Sequence, residues 1–366
     1  MSSDVVLVIV VGTALAFDFT NGFHDTANVV ATAISTRAAS PRLAVAFAAL
    51  LNFAGAFISL EVAATVAKDV VNPEVIDSTT VIFAGLIGAI AWNLITWYFA
   101  LPSSSSHALI GGIVGSTVAA VGTSAVISDG IFGKVLIPAL VAPILAFVVA
   151  LLAITFTYRI VGRLRPGPVN RGFRAGQLIS GGMLALAHGT NDAQKTMGVI
   201  TLALVVNGNI GPDADVPFWV VVSAASAIAL GTYGGGWRII RTMGTRIIKM
   251  DPAQGFSTQG AGAAVILASS HFGFPLSTTQ VIAGGVMGAG AGKRFSAVRW
   301  GVAGNIMMAW VLTFPAAASI GAATYGFTRI FGTGALGPIL VSLMAMSLVA
   351  AMFVRRAQRG APMAAT

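Results

Sequence analysis

The stretch from Asn21 to Asn28, NGFHDTAN, constrains this chain more than any other. It sets a histidine, a carboxylate and two asparagines inside an apolar run. Residues 5 to 17 before it are almost wholly aliphatic, and residues 29 to 36 after it carry only small hydroxyls among apolar side chains. A run of this length and character reads as a membrane span, and an aspartate within one is costly enough to be a functional residue by default. The rest of the chain is of the same kind: of 366 residues, 56% are hydrophobic and 9% charged, which marks a polytopic membrane protein. The 43 glycines suit close helix contacts in a bilayer. With no cysteine there is no disulfide, thiolate or iron–sulfur site.

The net charge of +9 must be read by position. Seventeen of the 21 Lys and Arg fall in five clusters: Arg37 with Arg42, Arg159 to Arg174, Arg238 to Lys249, Lys293 to Arg299, and Arg355 to Arg359. The loops between carry Asp69, Glu74 and Asp77, then Asp129, then Asp213 and Asp215. This alternation is the positive-inside signature and places the basic loops and the C-terminus in the cytoplasm. No basic cluster is interleaved with exposed aromatics, so nucleic-acid binding is the weaker reading. The N-terminal apolar run lacks a basic leader and a small-residue cleavage site, and is read as a span rather than a signal peptide.

Segment 5–36 is too long for one straight crossing, and its polar cluster predicts a break at 20–28 between two half-helices. Single spans are expected at 43–67 and 134–158, and 79–101 with 107–127 form a pair that either spans fully or re-enters, ending on the side where it began. The second half repeats this plan: a broken span over 176–207 around AHGTNDAQK, a return over 217–237, two short arms at 258–271 and 280–292, and spans at 300–325 and 336–354. The short arms, basic on both flanks, predict a re-entrant hairpin. The repeat shows in letters too. Asp25 in GFHD matches Asp192 in GTND at an offset of 167, and Pro102-Ser103-Ser104-Ser105-Ser106-His107 matches Pro275-Leu276-Ser277-Thr278-Thr279-Gln280 at 173. Opposite starting sides make the halves antiparallel, the inverted-repeat plan of secondary transporters. The fold expected is therefore an all-α polytopic membrane protein of two inverted-topology repeats with broken helices and re-entrant, hydroxyl-rich hairpins. Repeat 1 takes 1–160, a basic cytoplasmic linker 161–175, repeat 2 with a final transmembrane helix 176–354, and a cytoplasmic tail 355–366.

Helix N-termini opening after Ser106 and Thr279 aim free amides and positive dipole ends at an anion, and the hydroxyls of Ser104, Ser105, Ser106, Ser277, Thr278 and Thr279 add neutral donors that can hold an oxyanion and release it. Asp25 and Asp192, with Asn28 and Asn191 beside them, offer hard oxygens for Na⁺ or a divalent cation, or a carboxylate that carries a proton. Carboxylates beside an anion site make sense when cations or protons travel with the anion. An inward-moving dianion opposes a potential of roughly 100 mV by about 4–5 kcal/mol, and symport removes that cost.

Each feature has a packing alternative. Ser-rich runs satisfy backbone carbonyls in membrane helices, though repetition with proline and glycine favours a site. The GGxxG patterns after each run read as helix packing. His24 is a proton relay or a hydrogen-bond partner. Lys195 neutralises Asp192 or touches substrate. Glu61 is a pathway residue or a snorkelling carboxylate. Asp18 caps the expected break. His107 and Gln280 ligate or pack their hairpins.

NGFHDTAN with Thr36 and Arg37, WNLITWYFALPSSSSHALIGG (Trp92 to Gly112), HGTNDAQK, and FPLSTTQVIAGGVMG (Phe274 to Gly288) together resemble the PiT family of inorganic phosphate transporters, in particular its compact bacterial members. The resemblance covers nearly the whole chain. It implies symport of inorganic phosphate with Na⁺ or H⁺ in a bacterial plasma membrane, with no enzymatic activity and no cofactor. It assigns Asp25 and Asp192 to cation sites and the hydroxyls of 104–106 and 277–279 to phosphate, and it favours a functional Glu61. His24 stands where the family's common GANDVAN form has Asn, which weakens a sodium site in the first half and brings protons forward.

The expected protein is thus a phosphate:cation symporter with one midplane site. Phosphate is held by Ser104, Ser105, Ser106, Ser277, Thr278, Thr279 and Asn191. The cation is coupled through Asp25, Asp192, Asn28, His24 and Glu61, with Asp25 and Asp192 as Na⁺ ligands if sodium is used. A homo-oligomer is left open. Three rivals remain: a sulfate or other oxyanion permease of the same fold, an intramembrane aspartyl protease using the two aspartates, and a passive anion channel. A protease does not need hydroxyl hairpins beside its aspartates, and a channel would be indifferent to Na⁺ and pH.

Overall fold

In the computed structural model, which describes residues 2 to 358, the chain is helical almost throughout. The first half gives α1 (Ser2–Ser35), α2 (Pro41–Gly55), α3 (Glu61–Lys68), α4 (Thr79–Tyr98), α5 (Ser105–Val121) and α6 (Ser128–Val161). The second gives α7 (Pro166–Val206), α8 (Phe218–Gly234), α9 (Trp237–Arg246), α10 (Pro252–His271), α11 (Thr278–Lys293) and α12 (Trp300–Arg329), and α13 (Leu336–Gln358) follows. Among the described residues, α1, α4, α6 and α12 are long and apolar enough to cross a membrane, and α8 with α9 forms a fifth candidate bent by 61°. Residues 359–366 of the expected tail lie outside the described residues. The linker expected at 161–175 is, from Pro166 on, the first turns of α7.

The breaks expected at 20–28 and within 176–207 are not there: α1 and α7 run unbroken through both motifs. A polar residue disrupts a helix when its side chain offers the local backbone another partner. Most of the motif side chains instead reach across to other helices. Asn28 Nδ2 donates to Thr279 Oγ1 at 2.9 Å, and Asp25 Oδ2 accepts from Ser105 Oγ at 2.8 Å. An intact helix then satisfies the backbone in an apolar surrounding. The motif glycines serve packing: a Cβ on Gly22 would lie 2.3 Å from the Ile228 carbonyl oxygen, and one on Gly189 2.1 Å from that of Asn52. So α1 lies backbone to backbone on α8, and α7 does the same on α2.

The interruptions fall one element later: the single span expected at 43–67 is two helices, whereas the one expected at 217–237 is α8, followed after a bend by α9, which lies almost wholly beyond it. Between α2 and α3 the buried first-turn amides of the new helix donate to Gln194 Oε1, Val62 N–H at 2.8 Å and Ala63 N–H at 3.2 Å. Between α8 and α9 the turn is made by Gly235, whose φ of 66° suits glycine. The chain turns back between α4 and α5 and between α10 and α11, with α10 beginning at Pro252, ahead of the arm expected at 258–271; α5 and α11 start at Ser105 and Thr278, capped by the hydroxyls of Ser104 and Ser277.

Partners are exchanged between the halves. The α4–α5 hairpin packs on α12, and the α10–α11 hairpin packs on α6. The contacts are again tight, since a Cβ on Gly115 would meet the Ala318 carbonyl oxygen at 2.1 Å and one on Gly288 that of Phe147 at 2.1 Å. The GGxxG patterns are therefore helix packing. Large apolar side chains left exposed, such as Leu140, Ile144, Leu152 and Phe156 on α6 and Met308 and Val311 on α12, give the molecule a surface suited to lipid.

Candidate functional site

The four motifs converge at the centre. Asp25 of α1 and Asp192 of α7 are 1% and 0% exposed, and the N-termini of α5 and α11 meet them. Asp25 Oδ2 accepts from Ser105 Oγ, and its Oδ1 accepts from Thr279 Oγ1 at 3.1 Å. Thr278 Oγ1 stands 3.1 Å from Asp192 Oδ2 and 3.5 Å from Asp25 Oδ2, so one hydroxyl lies between the two carboxylates. Asn28 Nδ2 bonds the hydroxyls of both Thr278 and Thr279. The helix ends that the sequence would aim at an anion are thus aimed, in this conformation, at two aspartates.

Lys195 sits three residues past Asp192 on the same face of α7 and is 1% exposed. Its Nζ donates to Asp192 Oδ1 at 2.5 Å, Ser106 Oγ at 2.5 Å and the Leu276 carbonyl at 2.7 Å. The ammonium therefore neutralises Asp192 and holds the tips of both hairpins, which Ser106 also joins through its own 2.8 Å bond to the Leu276 carbonyl. In formal charge, two carboxylates face one ammonium.

His24 Nδ1 lies 2.6 Å from Asp25 Oδ1, and its Nε2 lies 3.4 Å from both Thr96 Oγ1 and Ser103 Oγ. On the other side His188 Nε2 lies 3.0 Å from Asp192 Oδ2. One ligand atom each from Asp25, His188 and Asp192 falls within 4.8 Å of the others, close enough to share a cation. Sequence reasoning passed over His188, Thr96 and Ser103. His188 was legible, because it stands four residues before Asp192 and so shares its helix face.

Eight of the sequence-predicted residues come together here: His24, Asp25, Asn28, Ser105, Ser106, Asp192, Thr278 and Thr279. Ser104 and Ser277 stand at the rim as caps, accepting from the amides of His107 and Gln280. Asn191 turns its Nδ2 to Ser270 Oγ and the Phe274 carbonyl, tying α7 to the second hairpin. His107 and Gln280 face one another, Nδ1 to Nε2, at 3.4 Å, which makes them a contact between hairpins. Glu61 is exposed at the head of α3 and is not brought to the cluster.

A family model described as "Phosphate transporter family" matches residues 21–321. A Mycobacterium bovis protein named "Probable low-affinity inorganic phosphate transporter" is 53% identical over 335 residues, covering 91% of this chain and 80% of the relative. A Bacillus subtilis protein of the same name is 44% identical over 323 residues, covering 88% and 96%. A solved structure described as "The sodium-dependent phosphate transporter" matches with a TM-score of 0.80 at 23% identity, over 89% of this chain and 99% of that one, a likeness of fold.

Proposed function

The chain belongs to the phosphate transporter family, and from that premise we propose that it imports inorganic phosphate with Na⁺ or H⁺ around a single buried site by alternating access. The observation that carries this reading is the convergence of hydroxyl-bearing helix N-termini from two hairpins on two membrane-buried aspartates.

The hydroxyls of Ser105, Thr278 and Thr279 are the donors a phosphate oxygen would take, with the first amides of α5 and α11 behind them. Ser106, Ser104 and Ser277 hold the two helix ends in shape for it. Each hydroxyl that turns to phosphate takes one donor away from an aspartate oxygen, and a buried carboxylate that loses donors is costly. A cation supplied to Asp25 and Asp192 removes the penalty, so phosphate and cation each favour the other's binding. Oδ1 of Asn28 and Oδ1 of Asn191 are buried without a donor and add oxygens to that task. The formal charge argues the same way, since an anion entering a site already negative by one needs positive charge with it. His24 beside Asp25 is placed to serve when the coupling ion is a proton.

The protein is a membrane protein and not an enzyme. We place it in the bacterial plasma membrane with its basic loops and C-terminus in the cytoplasm. Replacing Asp25 or Asp192 with Asn should reduce uptake of ³²P-labelled phosphate to background while the protein still reaches the membrane. Normal uptake in both variants would overturn the assignment.

A further inference from the structure

Asp18 lies on α1 roughly two turns before Asp25, and its residue is 0% exposed. In an interrupted helix it would cap the break, but α1 is continuous there and Asp18 caps nothing. Neither carboxylate oxygen has a completed hydrogen bond. Lys195, the nearby ammonium, has none to give: its three donors are engaged by Asp192, Ser106 and the Leu276 carbonyl. Asp192 adds negative charge nearby.

Two polar side chains lie close enough to this carboxylate to interact with it without reaching full hydrogen-bond geometry, Asn21 of α1 and Thr196 of α7, both 0% exposed. Both Oδ1 and Nδ2 of Asn21, and Thr196 Oγ1, are unsatisfied as well. Thr196 departs from its neighbours on α7. Thr190 and Thr201 donate to their own helix, to the carbonyls of Leu186 and Met197 at 2.8 Å each, as threonines in apolar helices do. Thr196 makes no such bond. Buried polar atoms are nearly always paired, and several orphans in one place point to something that completes them. Here the orphans are a carboxylate, a side-chain amide and a hydroxyl, whose oxygens make a hard set, and the one ammonium nearby is committed to other acceptors.

We propose that Asp18, Asn21 and Thr196 form a Na⁺ site distinct from the Asp25–Asp192 cluster. The ion bridges α1 and α7, the two helices that carry the transport aspartates, and locks their register on the N-terminal side of Asp25. Its part in transport rests on the cation-coupled reading above, while its existence does not.

The test is equilibrium binding of ²²Na⁺ to the purified full chain in detergent, with phosphate uptake measured separately in proteoliposomes. Asp18→Asn should bind one Na⁺ fewer per chain than the parent. Thr196→Val should bind that ion about tenfold more weakly, a change of roughly 1.4 kcal/mol, and Thr196→Ser should restore it. The near-isosteric Thr196 pair decides the matter if Asp18→Asn fails to give a monodisperse protein. Unchanged stoichiometry and affinity in Asp18→Asn and Thr196→Val, or a parent protein that binds no Na⁺, overturns the site. Loss of the ion in a protein that does not move phosphate would keep the site and sink the symport reading. Intact phosphate symport with unchanged Na⁺ binding would do the reverse.

Discussion

Ser105 and Thr278 each give their hydroxyl to a buried carboxylate, and the proposed exchange of those donors onto phosphate makes them the residues most sensitive to substitution by Ala. A hydrogen bond to a charged group contributes about 1.5–3 kcal/mol, so either variant should raise the phosphate concentration for half-maximal uptake by roughly 10- to 100-fold. Ser116→Ala is the matched control, since that hydroxyl donates to the Ile113 carbonyl within its own helix. Equal values for all three would move the phosphate site elsewhere. At this scale the sequence was informative where a residue was out of place. Asp25, Asp192 and the hydroxyl runs stood out because polar atoms in an apolar run need a reason. Thr96 and Ser103 did not, because each looks like an ordinary membrane-helix hydroxyl until the fold brings it to His24. The role of Lys195 was open in the sequence because i, i+3 spacing from Asp192 allows a salt bridge without requiring one.

The helices carry a lesson about where interruptions belong. Polar clusters at 20–28 and 187–195 looked like breaks, yet their side chains are satisfied mainly by other helices and the backbone stays intact. The break after α8 had a local marker in Gly234, Gly235 and Gly236. The break after α2 had only faint markers, Gly55 at its end and Ser59, whose hydroxyl accepts from Glu61 N–H at 3.3 Å, and the gap is held by Gln194 across the interface. Gln194→Leu should therefore leave the amides of Val62 and Ala63 unpaired and cost about 1–3 kcal/mol, read as a lower thermal midpoint in detergent. A midpoint equal to the parent's would mean that the α2–α3 break is held by something else. The hairpins were legible because proline, glycine and a hydroxyl cap recur together at both.

For the whole molecule, the proposed antiparallel halves require the basic and acidic loops to lie on opposite sides of the membrane. The contacts group them accordingly: Lys68 pairs with Asp213 at 3.6 Å, while Lys293 and Tyr158 both meet Asp251, at 3.0 and 2.5 Å. The chain has no cysteine, so single cysteines report cleanly. Glu74→Cys and Asp213→Cys should react with an impermeant maleimide added to intact cells, and Ser40→Cys and Phe295→Cys only after lysis. Labelling of all four from outside would contradict the topology. The proposed site is occluded, with Asp25, Asp192, Ser105, Ser106, Thr278 and Thr279 each at most 2% exposed, so transport through it would require the helices around it to move. The α2–α3 and α8–α9 breaks are the natural places for that motion. The claim at the centre, that phosphate moves only with a cation, is tested most directly by uptake of ³²P-labelled phosphate into proteoliposomes with Na⁺ and pH gradients imposed separately and sulfate as competitor. Accumulation above the external concentration under an inward gradient of one of these cations, abolished when that gradient is collapsed and unaffected by sulfate, is the predicted result. Phosphate that merely equilibrates at the same rate with or without either gradient would contradict it.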